Sequence, residues 1–147
     1  MIRPAILAAM LAMLAGSAQA IDYASVTRNA ILFETSSLQA RKLAIIRPGT
    51  PVEIVVTSPD LQWAKVRDPS GALSWIEGNA LGKQRTVLVT AGQAVVRSEA
   101  NERSPAVFEV VRDVVLEFVS VYPGGWVKVQ HADGSSGFLR STEVWGL

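Results

Sequence analysis

The tetrapeptide Trp63-Ala64-Lys65-Val66 recurs as Trp126-Val127-Lys128-Val129, 63 residues further along the chain. The same offset aligns four more pairs: Gly71 with Gly134, Trp75 with Phe138, Ile76 with Leu139 and Leu81 with Val144. A period of this length exceeds that of common solenoid repeats and suits a small β-barrel. The sequence therefore predicts two copies of one module.

Upstream of this segment the offset becomes 64, because the turn Tyr122-Pro123-Gly124-Gly125 is one residue shorter than residues 58–62. The longer offset then pairs Ala30-Ile31-Leu32 with Ala94-Val95-Val96. Loops tolerate changes in length better than the strands that they connect. One deletion confined to a hairpin loop therefore fits a duplicated domain.

Short β-branched or alternating runs, separated by turn residues, predict an all-β architecture. The predicted strands are 30–34, 43–46, 51–57, 63–67 and 73–77 in the first half, and 87–90, 94–97, 107–112, 115–121, 126–130 and 137–139 in the second. Two segments have the residue types preferred in tight turns between strands: Asp68-Pro69-Ser70-Gly71 and the pair Asp133-Gly134. The boundary is expected near residues 82–85, which gives modules at 21–82 and 83–147.

The first twenty residues have the pattern of a secretory signal peptide. Met1-Ile2-Arg3 provides a positive start, residues 5–14 form an apolar run too short to span a bilayer, and Ala18-Gln19-Ala20 is a small-x-small cleavage site. We therefore expect a mature chain that begins at Ile21, without an integral membrane segment, in the periplasm or outside the cell.

Charge and cysteine content exclude several classes of function. The chain has 14 basic and 13 acidic residues, and loss of Arg3 with the leader makes the two counts equal. Nucleic-acid binding needs a basic surface, so no nucleic-acid partner is expected. The absence of cysteine excludes disulfides, thiol nucleophiles and thiolate metal sites.

Each repeat resembles a bacterial SH3 domain, a small five-stranded barrel of exported bacterial proteins. Residues 63–71 with Trp75-Ile76 carry the resemblance in the first copy, and residues 125–129, 133–134 and 137–139 carry it in the second. The whole chain after residue 24 is similar to exported tandem-SH3 proteins of Gram-negative bacteria. The resemblance implies short 3₁₀ turns near residues 77–79 and 140–142, each followed by a last short strand. It does not extend to the tyrosine row with which eukaryotic SH3 domains bind proline helices.

Catalysis is disfavoured by the inventory of side chains, so no catalytic, metal or cofactor site is predicted. His131 is the single histidine, whereas catalytic zinc usually takes three protein ligands. Ser135, His131 and Asp133 would share one hairpin turn, without the separate scaffold elements that orient a catalytic triad. His131 is interpreted as a polar turn residue.

Aromatic and acidic residues are the candidates for ligand binding, because an exposed indole offers large apolar contact and one hydrogen-bond donor. The candidates are Trp126, Tyr122, Glu99, Glu102, Trp63 and Glu34. The SH3 resemblance places these glutamates in the long loop that edges the binding groove. Burial in the barrel wall is the alternative for both tryptophans, and solvated loop charge is the alternative for the glutamates.

Three other aromatic residues receive structural interpretations. Trp75 and Phe138 are predicted to face the core. Trp145 is expected to plug the barrel, with an exposed partner contact as the alternative.

The leading hypothesis is a non-catalytic periplasmic module that binds a peptide or the peptide stems of peptidoglycan. The alternatives are an interaction module that docks on a cell-envelope enzyme or transporter and, more remotely, a small hydrolase. The sequence does not select the ligand, the oligomeric state or the number of barrels that bind.

Overall fold

A computed structural model describes residues 20–147. The predicted signal peptide therefore lies outside the described residues, apart from Ala20. Within the described part of the chain, no helix is both long enough and apolar enough to cross a membrane.

The first module is one antiparallel sheet of seven strands. Its strands are β1 (Asp22–Val26), β2 (Ala30–Phe33), β3 (Lys42–Ile46), β4 (Pro51–Thr57), β5 (Trp63–Arg67), β6 (Leu73–Glu77) and β7 (Leu81–Gly82), with a 3₁₀ turn at Gly78–Ala80. The spatial order is β3-β2-β6-β5-β4-β1-β7.

The second module repeats this plan strand for strand. Its strands are β8 (Thr86–Val89), β9 (Gln93–Arg97), β10 (Ala106–Val111), β11 (Val115–Tyr122), β12 (Trp126–Gln130), β13 (Ser136–Arg140) and β14 (Val144–Trp145), with a 3₁₀ turn at Ser141–Glu143. The order β10-β9-β13-β12-β11-β8-β14 is equivalent to that of the first sheet. The predicted all-β class with two tandem copies of one module is confirmed.

The expected count of five strands differs from the seven that each sheet contains. The count of seven includes the predicted runs 30–34 and 43–46, which pair with each other from Ala30 opposite Ile46 to Phe33 opposite Lys42, and the short last strand β7. In addition, Asp22–Val26 was not among the predicted strands, although it pairs with both β4 and β7.

Alternation along the strands separates a core face from an outer face in each module. In β5, Ala64 and Val66 are buried, whereas Trp63, Lys65 and Arg67 lie on the partly exposed outer face. The first core includes Val26, Leu32, Val52, Val66 and Ile76, and the second includes Val87, Val96, Leu116, Val127, Val129 and Leu139.

The core assignments of Trp75 and Phe138 were wrong. In β6 the buried residues are Ser74 and Ile76, so Trp75 between them lies on the outer face and is only partly buried. Phe138 occupies the same position in β13 between Gly137 and Leu139. A one-residue step reverses the face of a strand residue, and here the smaller residues face inward.

The two modules contact each other directly around the short linker. The Thr86 hydroxyl donates a hydrogen bond to the Gly49 carbonyl at 2.6 Å. The Ser25 hydroxyl of the first module donates to the Gln84 carbonyl of the linker, and Arg85 Nη2 of the linker donates to the Gly146 carbonyl of the second module at 2.7 Å. The modules are therefore joined by polar contacts as well as by the chain.

Candidate binding clefts

Two equivalent clefts lie on the outer faces of the modules, and each is built around a cross-strand pair. Trp63 on β5 is opposite Glu77 on β6. Trp126 on β12 is opposite Arg140 on β13. Directly opposite residues have neighbouring side chains, so residues 77 and 140 decide what covers each indole. We name these regions the first cleft and the second cleft.

The first cleft is open, with a volume of about 460 Å³. Its lining residues are Ser37, Leu38, Gln39, Leu61, Gln62, Trp63, Glu77 and Asn79. The Trp63 indole is half-buried and stands edge-on to the buried Phe33 ring, with ring centroids 5.4 Å apart. Leu38 and Leu61 flank the cleft with 58% and 71% of their surface exposed. The cleft thus offers an aromatic wall and two apolar contacts to a ligand.

A hydrogen-bonded turn presents Leu61 beside Trp63. Asp60 Oδ1 accepts from the Gln62 backbone N–H at 3.1 Å, and Ser58 Oγ accepts from the Trp63 N–H at 3.0 Å. The hydroxyl of Ser58 and then the Gln62 N–H hold the pKa of Asp60 below its usual value. These bonds fix the loop, in which Leu61 has a left-handed φ of 60°.

The polar side of the first cleft carries a carboxylate and amides. Glu77 lies 3.7 Å from Arg28 Nη2, in an exposed ion pair. The same guanidinium donates to Asn79 Oδ1 at 2.7 Å, which orients the Asn79 amide. Because exposed ion pairs contribute little stability, Glu77 can bind an amine or amide donor of a ligand.

The second cleft is smaller, about 320 Å³, and an arginine covers its tryptophan. The Arg140 guanidinium lies 4.1 Å from the Trp126 ring centroid, and only 6% of Trp126 is exposed. Exposure of Trp126 in a groove, one of its two interpretations from the sequence, is therefore wrong. The reason is the cation–π contact, in which the Arg140 side chain covers the face of the indole.

Glu102 holds this arginine in place. Glu102 Oε1 accepts from Arg140 Nη2 at 2.7 Å and from Nε at 3.2 Å. Arg140 Nη1 donates in turn to the Gly124 carbonyl at 2.9 Å. The hydrogen bond from Arg140, followed by its charge, lowers the pKa of the Glu102 carboxyl.

The remaining predicted site residues lie outside both clefts. Tyr122, 47% exposed, packs edge-on against Phe138 at 5.0 Å, and together with Glu99 it lines a separate shallow concavity. Glu34 forms an exposed ion pair with Arg41 at 2.8 Å and does not line the first cleft. The structure therefore places Trp126 and Glu102 in the second cleft, and Tyr122 and Glu99 in a separate concavity.

Trp145 packs between the modules. Its ring is edge-on to Tyr23 of the first module, with centroids 5.4 Å apart. The indole is partly buried by this intramolecular contact.

The geometry around His131 is that of a turn. His131 Nδ1 accepts from the Asp133 backbone N–H at 3.3 Å, and the ring packs edge-on against Phe108 at 5.6 Å. Among residues 20–147, no group of three or more histidine, aspartate or glutamate side chains is placed to hold a metal ion.

Sequence reasoning missed four residues that shape the clefts: Leu38, Leu61, Glu77 and Arg140. The repeat offset contained a signal for two of them, because it pairs Glu77 with Arg140 and so places opposite charges at equivalent positions. The two clefts therefore have opposite charges beside the retained tryptophan.

Comparison with known proteins gives one family and several structures. The family model described as bacterial SH3 domain matches residues 27–82 and again residues 90–146. No protein of curated function matches the chain.

Among solved structures, NlpC2 from Trichomonas vaginalis aligns at 16% identity and a TM-score of 0.40, covering 88% of this chain and 49% of that one. NlpC1 from Trichomonas vaginalis aligns at 17% identity and a TM-score of 0.39, covering 92% and 50%. An NLPC/P60 family protein from Bacillus cereus aligns at 17% identity and a TM-score of 0.36, covering 84% and 56%. The chain spans about half the length of these proteins.

Proposed function

Because the chain belongs to the bacterial SH3 domain family, whose domains are binding modules, we propose that it is a non-catalytic periplasmic protein that binds the peptide part of peptidoglycan. The binding site is the first cleft. The observation that carries this assignment is the open Trp63 indole, flanked by the exposed Leu38 and Leu61. Its equivalent in the second module is covered.

The size and chemistry of the first cleft support a peptide ligand. Its volume of about 460 Å³ falls in the range of small-ligand sites. The Trp63 ring and two leucines suit an aliphatic side chain, while Glu77 suits an ammonium group. The amides of Gln62 and Asn79 suit the alternating donors and acceptors of a peptide backbone.

The periplasmic address rests on the signal-peptide pattern of residues 1–20, together with the location of peptidoglycan outside the inner membrane. A non-catalytic role rests on the inventory of one histidine and no cysteine. In the proposed function, the protein therefore binds the cell wall without cleaving it.

Sedimentation with purified peptidoglycan sacculi, and titration with soluble stem peptides, test the proposal. Trp63→Ala should weaken binding by about tenfold, roughly 1.4 kcal/mol, since aromatic anchors dominate such sites. Trp75→Ala is the matched control, because Trp75 is also a partly buried outer-face tryptophan of the first module and lies outside the cleft. Equal binding by wild type and a folded Trp63→Ala protein would contradict the assignment.

Docking on an envelope enzyme or transporter remains the second candidate, and exposed valines favour it. Val55 and Val56 on β4 are 45% and 47% exposed, and Val119 and Val121 on β11 are 45% and 68% exposed. Exposed apolar surface is a feature of protein contacts. Periplasmic crosslinking from a probe at position 119, lost in Val121→Lys but not in Trp63→Ala, would select this function over the first.

A further inference from the structure

The second cleft has the chemistry of an anion site. At the positions equivalent to Phe33, Leu38 and Glu77 of the first module, the second has Arg97, Glu102 and Arg140. Both arginines line the second cleft. The two copies have therefore diverged at the residues that would contact a ligand, while the tryptophan is retained.

Arg140 is held in position on three sides. Its planar group stacks on Trp126 at 4.1 Å, and Nη1 is bound to the Gly124 carbonyl at 2.9 Å. Its remaining edge, Nε with Nη2, is occupied by Glu102, whose side chain is 68% exposed. This edge of a guanidinium matches a carboxylate in shape and charge.

Arg97 adds a second positive charge to the same cleft. Its Nη1 donates to the Ser104 carbonyl at 2.9 Å, and no carboxylate among residues 20–147 forms an ion pair with it. Glu143, the other carboxylate of the lining, accepts from the Arg140 backbone N–H at 3.2 Å. Without Glu102 the cleft would hold two guanidinium groups and one carboxylate.

We propose that the second cleft binds the free C-terminal carboxylate of a peptide, and that Glu102 is an internal occupant which this carboxylate displaces. Displacement requires little energy, because the Glu102 side chain is 68% exposed and an ion pair this exposed contributes little stability. Gln93 and Val95 also line the cleft and suit the amide and small side chain of a terminal residue. This site is independent of the first cleft and would survive the failure of the Trp63 assignment.

Isothermal titration of the full mature chain tests the proposal with three probes. They are an N-acetylated tri-alanine peptide with a free carboxylate, the same peptide with a C-terminal amide, and sodium acetate. Glu102→Ala should bind the acid peptide about fivefold more tightly than wild type, the ratio that corresponds to the ~1 kcal/mol of the strongest exposed pairs. The amide peptide should show no such gain.

Two further variants distinguish binding at the second cleft from a general effect of removing one negative charge. Glu99→Ala removes the same charge from the same loop outside the cleft and should show no gain. Glu102→Ala combined with Arg140→Lys keeps the charge but loses the guanidinium fork, and should lose the gain.

Three outcomes would overturn the proposal: no gain in Glu102→Ala, an equal gain in Glu99→Ala, or an equal gain for the amide peptide. Acetate binding as tightly as the acid peptide would overturn the peptide assignment, because the site would then recognise a free carboxylate alone.

Discussion

At the scale of single residues, one cross-strand neighbour decides whether a tryptophan is available to a ligand. Trp63 and Trp126 occupy equivalent positions, opposite Glu77 and Arg140. Glutamate cannot stack favourably on the electron-rich face of an indole, whereas a guanidinium can. The first indole therefore lines an open cleft and the second lies under Arg140.

This difference predicts unequal losses of stability. Trp126→Ala removes a side chain that is only 6% exposed and should lower the free energy of unfolding by about 3 kcal/mol. Trp63→Ala leaves a surface that water already reaches in part, so it should cost about 1–2 kcal/mol. Urea titration of both variants measures the two losses. Equal losses would show that Arg140 does not bury Trp126 in solution.

The Glu102–Arg140 contact predicts a contribution to the free energy of unfolding that depends on pH. Since Arg140 lowers the pKa of Glu102, the contact contributes stability above the usual pKa of glutamate and loses it as pH falls through the lowered value. NMR titration of Arg140→Lys and Arg140→Ala should show the pKa of Glu102 moving up toward its ordinary value, most in the alanine variant. Asp133 is the internal control, because the N–H and hydroxyl of Ser135 are the largest causes of its lowered pKa. A Glu102 pKa unchanged in Arg140→Ala would contradict the contact.

At the scale of strands and turns, most of the fold could be predicted from the sequence. β-branched runs such as Pro51–Thr57 coincide with observed strands, and the Asp133-Gly134 turn has Gly134 at a φ of 91°. The strand Asp22–Val26 was not predicted because its sequence, Asp-Tyr-Ala-Ser-Val, has few β-branched residues. Its place is set by tertiary pairing with β4.

The orientation of the aromatic residues could not be predicted from alternation. Alternation says that Trp75 and Ile76 face opposite sides, but both are apolar, so it does not say which side is the core. The interior of each small barrel is filled by Val, Ala and Leu, with Ile in the first, whereas Trp75 and Phe138 lie on the outer face. The position of Arg140 over Trp126 could not be predicted either, because it depends on Glu102, a loop residue 38 positions away in the chain.

The outer placement of Phe138 brings Gly137 against β9, and this close approach predicts an intolerant position. A Cβ at Gly137 would overlap the Arg97 carbonyl oxygen and lie 2.8 Å from Val96 Cγ1. Gly137→Ala should therefore cost about 2 kcal/mol or more through overpacking. The control is Gly92→Ala, where no atom lies within 4 Å of the new Cβ, and where the effect should stay within about 1 kcal/mol. Chemical denaturation of both variants gives the comparison, and a neutral Gly137→Ala would contradict the packing of β13 on β9.

At the scale of the whole molecule, Arg85 joins the two modules. Its guanidinium carbon lies 5.5 Å from the Tyr23 ring of the first module and 4.6 Å from the Phe118 ring of the second. Burial raises the pKa of Tyr23, the nearby Glu53 charge adds to the rise, and Arg85 opposes it. With the Gly146 carbonyl also bound, this one side chain contacts both modules and the C-terminal segment.

Because Arg85 contacts both modules, we predict that the modules unfold together and that Arg85 is required for this coupling. Arg85→Ala removes two cation–π contacts, each worth about 0.5–2 kcal/mol, and a charged hydrogen bond of about 1.5–3 kcal/mol. Differential scanning calorimetry of the wild type should give a calorimetric enthalpy close to the van't Hoff enthalpy, and the ratio should rise toward about two in Arg85→Ala as the modules melt separately.

Lys83→Ala is the matched control for this prediction, since Lys83 is an exposed cation of the same linker. Its variant should keep the wild-type ratio. Arg85→Lys should give an intermediate ratio, because lysine keeps the charge but not the planar group that lies between the rings. If Arg85→Ala melts in one transition with an unchanged ratio, the coupling must come from the Thr86–Gly49 hydrogen bond and the Tyr23–Trp145 contact instead. The combination of Thr86→Val with Trp145→Ala would then separate the two transitions.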